Sequence, residues 1–116
     1  MFEISPKAFA AFEGKAESEF IERLGHVLRT AVPSLQSEPQ PAFFAQLRLL
    51  VEQARSFGLC SERAVGGFAI TAALLGVDFV DRFPGARQIL LGSETGDRKA
   101  ELLEAFTLNL FEILER

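Results

Sequence analysis

Asp78, Asp81 and Arg82 stand close together in the stretch Val77–Phe83 and form the one short charged cluster that reads as a loop. Paired carboxylates can serve as acid and base, or hold a divalent cation. A calcium loop, however, needs acidic groups at alternating positions, a central glycine and a closing glutamate, and that pattern is absent. The cluster is expected to act structurally, either capping a short helix or pairing with Arg82. His26 and Cys60 are the single histidine and the single cysteine. Zinc takes several such ligands, so no metal site is expected. Cys60 lies between a helix end and a helix start, where a thiol can become more acidic, but no histidine accompanies it. Gly66-Gly67 lacks the Lys-Ser/Thr pair of a phosphate loop, and no Gly-x-Ser-x-Gly elbow appears. The reading is non-enzymatic, with no catalytic residue, cofactor or metal.

Recognition through apolar rings is the other chemistry on offer. The chain has twelve Phe, no Trp and no Tyr, so its aromatic surface has no polar tip. Phe43 and Phe44 are adjacent and point about 100° apart on a helix. Either can reach the surface, as can Phe2, Phe79 or Phe83. Exposed rings mark a protein-binding patch. The candidate binding residues are therefore Phe43, Phe44, Asp78, Phe79, Asp81, Arg82 and Phe83. The competing reading places the rings in a core shared by several helices.

The elements that must position these groups fit in one domain, residues 1–116. A chain of 116 residues, 48% hydrophobic and 24% charged, is globular in composition and long enough to bury a core. Its net charge of -4, with no Lys/Arg cluster, argues against nucleic acid and suits a basic protein partner. A lone cysteine fits a reducing compartment. The N-terminus lacks the basic and apolar regions of a secretory signal. The most apolar run, Ala64–Val77, is too short to span a bilayer. The expectation is a cytoplasmic protein with no membrane contact, its self-association left open.

Ser5-Pro6 reads as a helix start. Phe9, Phe12, Ala16, Phe20, Leu24, Val27 and Ala31 then mark one helical face, with a bend or break expected near Gly14 and a stop at Pro33. Pro33–Pro41 reads as a loop. A second helix carries Phe43 or Phe44, Leu47, Leu50, Val51 and Ala54, and ends at Gly58. Ser61 caps a third helix, apolar all round and so buried on most sides. The glycines Gly66-Gly67 inside it imply close approach of another backbone. Val77–Phe83 reads as a loop or extended connector, followed by a short helix, Ala86–Leu91. The last helix is capped by Asp97 or Thr95 and presents Leu103, Phe106, Leu110 and Ile113 on one face. The fold class is all-α, a compact bundle of four main helices plus one short helix.

The run Ala54–Val65, with its Phe57-Gly58 turn and Ser61-Glu62 helix start, is followed by Leu75-Gly76-Val77-Asp78-Phe79 and by Pro84 to Leu90. Together with Ile4-Ser5-Pro6, this punctuation resembles small helical accessory proteins encoded beside VgrG, PAAR-type spike and effector genes of bacterial type VI secretion systems. The sequence departs from that pattern where Gly85 replaces a tryptophan, and in its paired Gly66-Gly67. The resemblance implies a protein that binds a secreted effector, toxin or spike component. It would act either as an adaptor or chaperone for effector or spike, or as an immunity protein that neutralises a cognate toxin. An enzyme centred on Asp78, Asp81 and Cys60 is the remaining, minor reading.

Overall fold

Prolines and glycines divide this chain into rods, and apolar stripes decide how the rods stack. The computed structural model describes the backbone of residues 6–115 and the side chains of residues 18–115. The elements are α1 (Pro6–Ala31), a 3-10 turn (Pro33–Ser37), α2 (Gln40–Ser56), α3 (Glu62–Leu75), α4 (Phe79–Arg82), α5 (Pro84–Leu91) and α6 (Gly96–Glu115), with no strand among the described residues. The class is all-α, as the periodicity requires. The Ser5 cap and Phe2, with the side chains of Phe9, Phe12 and Ala16, lie outside the described residues.

α1 runs unbroken through Gly14 and Gly25. Its buried face is Ile21, Leu24 and Leu28, one step round from the expected Phe20, Leu24, Val27 and Ala31; Val27 is exposed. Gly25 explains the rotation. A Cβ there would stand 3.0 Å from Cε1 of Phe44 and 3.1 Å from Cε1 of Phe43. α2 thus seats its two rings on the bare backbone of α1, and the α1 face is turned toward Gly25. Phe43, Leu47, Leu50, Val51 and Ala54 of α2 are all buried, as their spacing predicts.

α2 ends in a Schellman motif. Gly58 takes φ +87°, Leu59 N–H donates to Ala54 O at 3.1 Å, and Gly58 N–H to Arg55 O at 3.0 Å. Leu59 is fully buried against the core. The chain then reverses directly into α3. Ser61 caps α3, its Oγ accepting from Ala64 N–H at 3.1 Å; removing such a cap costs about 0.5–2 kcal/mol. Phe68 of α3 lies 5.1 Å, centroid to centroid, from Phe79 and 6.1 Å from Phe57. α3 touches α1, α2, α4 and α6, so it is the central rod.

Val77–Phe83 is not the expected loop or extended connector. Phe79 and Val80 are consecutive and both buried. An extended segment would point them to opposite sides, whereas one helical turn turns both inward. It also closes its own backbone bonds, Arg82 N–H to Asp78 O at 3.1 Å and Phe83 N–H to Phe79 O at 2.9 Å.

Three helix ends meet where α6 begins. Thr95 caps α6, its Oγ1 accepting from Arg98 N–H at 3.2 Å. Asp97 instead accepts a hydrogen bond from Ser61 Oγ at 2.6 Å. Lys99 is buried and donates through Nζ to Phe57 O at 2.9 Å, placing a cation on the carbonyl end of α2. Gly96 is seated against the Gly58-Leu59 backbone, where a Cβ would collide with Gly58 O. The Ser61–Asp97 bond joins the starts of α3 and α6, and the two helices run parallel, with Gly67 on Ala100 and Thr71 and Thr107 farther along one cleft.

Candidate protein-binding groove

Because α3 and α6 start together and run parallel, they leave a valley along their outer side. At Gly67 an added Cβ would stand 3.8 Å from Ala100 Cβ. Ala64, Gly67 and Ala100 are too small to fill the space, and a cleft of about 320 Å³ remains. Ile70, Thr71 and Thr107 extend its floor, and Leu108 stands at its far end. The threonine hydroxyls are satisfied within their own helices, Thr71 Oγ1 on Gly67 O at 2.9 Å and Thr107 Oγ1 on Leu103 O at 2.8 Å. What they present to the groove is therefore largely methyl.

Charged groups stand along the rim: Arg63 on α3 and Asp97 and Glu101 on α6 near the helix starts, and Glu104 farther on, one turn before Leu108. Asp97 is engaged by Ser61, and Glu101 by Arg98 Nη1 at 3.0 Å. Glu104 and Arg63 have no hydrogen bond or ion pair among the described residues. Beyond the cleft the same line turns apolar. On α3, Leu74 follows Gly67 and Ile70 at helical spacing and is 44% exposed; on α6, Leu108 is 63% exposed. The groove thus carries charged groups from the helix starts as far as Glu104 and is apolar beyond, at Leu74 and Leu108.

None of the residues first read as a binding patch lines this groove. Phe43 and Phe79 are buried, so the surface role expected for them is corrected: these rings are core. Phe43 is closed off by the Arg29 guanidinium 4.4 Å above its ring, held in turn by a bond from Arg29 Nη2 to Glu38 O at 3.0 Å. Phe44 is half-buried, edge-on to Phe43 at 5.4 Å. Phe83 is half-buried between Phe106, at 6.2 Å, and the Arg82 guanidinium, at 5.5 Å. Arg82 ties off the end of α3, donating to Leu75 O at 3.3 Å and pairing with Asp78 at 3.4 Å. Asp78, Asp81 and Arg82 are exposed, and the Asp78–Arg82 pair fills the structural role expected of it.

No protein-family model, curated protein or solved structure matches the chain. The groove therefore has to be interpreted from its own chemistry. Among the described residues no three His, Cys, Asp or Glu side chains gather as a metal site. His26 and Cys60 are both exposed and lie on different elements. No helix of the described residues is long and apolar enough to cross a membrane. Gly85, where the resemblance led one to expect tryptophan, lies under Phe106: a Cβ would stand 2.8 Å from Phe106 Cε2. The ring of α6 occupies the place a side chain on α5 would take.

The groove was missed by sequence reading because its makers are defined by what they lack. Gly66 and Gly67 were read as a point of close backbone approach. The structure corrects this: a Cβ on Gly66 would meet Leu24 Cδ1 at 3.9 Å and one on Gly67 would meet Ala100 at 3.8 Å, both ordinary contacts. Gly67 keeps the groove floor low; nothing in the structure explains Gly66. A usable signal was present in α6. Leu108 falls off the face of Leu103, Phe106 and Leu110, and an apolar residue off the core stripe is a candidate for contact with something else.

Proposed function

We propose that this chain is a non-enzymatic protein-binding accessory, working in the cytoplasm as an adaptor or chaperone for an effector or spike component of a type VI secretion system. The observation that supports protein binding is the open α3/α6 groove, a cleft of about 320 Å³. It continues into exposed Leu74 and Leu108. Contiguous apolar surface rimmed by charge is the usual mark of a contact site for another polypeptide. The secretion context comes from the resemblance of the helix punctuation alone.

The test is co-expression with the products of neighbouring genes, followed by pull-down and measurement of stoichiometry. A stable complex with a spike or effector protein, which keeps that protein from aggregating, supports the adaptor reading. A complex that abolishes the toxicity of a neighbouring gene product moves the chain to the immunity role. Capture of none of these products overturns the secretion assignment.

A further inference from the structure

We infer that the α3/α6 groove receives an amphipathic helix of the partner, with small residues facing Gly67, a basic residue facing Glu104 midway along the α6 wall, and bulky apolar residues facing Leu74 and Leu108. This rests on the protein-binding reading above and names what binds. The case for a helix is one of hydrogen bonding. The walls are two helices whose backbone groups are already paired internally, so an extended segment in the groove would have its own N–H and C=O groups unpaired on apolar ground. A helix brings those bonds with it. The valley between two parallel helices also offers the packing position a third helix occupies in a bundle.

Size and charge then set the character of the occupant. Ala64, Gly67 and Ala100 let a backbone come close at one end. Ile70, Leu74 and Leu108 require apolar cover at the other. Of the four charged groups on the rim, three are carboxylates and one is a guanidinium. Since Asp97 and Glu101 already have partners, Glu104 is the carboxylate left to engage a lysine or arginine. Arg63 on the opposite wall penalises a cation on its own side. The two walls together select orientation as well as sign.

The test uses the full-length chain and synthetic amphipathic peptides of about 18 residues, roughly 27 Å as helices. One peptide carries a Leu/Ala stripe flanked by lysines, the second the same stripe flanked by glutamates. The lysine peptide is expected to shift the backbone amide resonances of Gly67, Ile70, Ala100 and Leu108 saturably, and to bind at least roughly tenfold more tightly than the glutamate peptide. Glu104→Lys, an exposed change that leaves the circular dichroism spectrum unaltered, is expected to remove that preference. Equal binding of the two peptides, binding of neither, or shifts centred away from the groove (at Leu49 or Leu91, for example) would overturn the inference. A captured partner protein that remains bound when Gly67→Leu fills the groove would do the same, while leaving the accessory reading standing.

Discussion

On one flank of α3, Val65, Phe68 and Ala72 are sealed, with the rings of Phe57 and Phe79 packed on Phe68. On the other, Gly67, Ile70 and Leu74 face a groove bounded by α6. Both flanks are apolar, and both belong to the same four turns of helix. The difference lies in what stands opposite. The sealed flank meets large rings that reach across the gap. The open flank meets Ala100, Glu104 and Thr107, which do not. Composition along one helix cannot distinguish the two cases, because closure depends on the size of residues on other elements, eleven positions away for Phe57 and Phe79 and more than thirty for Ala100 and Glu104.

The comparison breaks most sharply if the two flanks respond alike to truncation. Phe68→Ala is expected to cost about 3–5 kcal/mol, the range for deleting a fully buried ring, and to bring a domain of ordinary stability close to unfolding at 37 °C. Ile70→Ala, at a half-exposed position on the open flank, is expected to cost no more than about 1–2 kcal/mol. Urea denaturation of the two variants measures the difference. Equal losses would mean that the groove flank is as tightly packed as the sealed one.

That asymmetry also marks how far the sequence could be read. The helices were legible because their punctuation is local: Pro33, Gly58, Ser61, Gly76 and Pro84 act on the backbone next to them. The α2 stripe was legible because Phe43, Leu47, Leu50 and Val51 share one face, with Leu49 turned away from it. The α1 face lies round from the apolar stripe because it is turned toward Gly25, a residue with no hydrophobicity to count, whose role appears only when Phe43 and Phe44 lie on it. Ile113 was expected on the core face of α6 and is exposed. The stripe runs on past the last element able to cover it, and a periodic pattern carries no information on where its partner stops. The groove was the least legible feature, since it is a gap left between elements distant in sequence.

A sharper version of the comparison uses two glycines that look equivalent in sequence. Gly96 is pressed on backbone: an added Cβ would collide with Gly58 O and would stand 3.1 Å from both Gly58 C and Leu59 Cα. Backbone cannot rotate away as a side chain can. Gly96→Ala must therefore push α6 off the end of α2, straining the Lys99–Phe57 and Ser61–Asp97 bonds together. The expected loss is about 1–3 kcal/mol, as for other overpacked sites, read as a lower denaturant midpoint. An unchanged midpoint would show that the three-helix junction is loose.

The smallest effect on stability is also the most informative about function. At Gly67 an added methyl would stand 3.8 Å from Ala100 Cβ, an ordinary contact. The backbone there is helical, so alanine removes conformational freedom from the unfolded chain without strain in the folded one. Gly67→Ala is expected to raise stability by up to about 1 kcal/mol. The same methyl raises the groove floor where a partner helix would come closest. A protein that becomes more stable and binds its partner less tightly would separate folding from recognition at a single position. Thermal denaturation and titration of the captured partner measure the two effects side by side. Should the variant gain stability and bind as before, the low floor at Gly67 has no part in recognition, and contact must begin farther along the groove at Leu74 and Leu108.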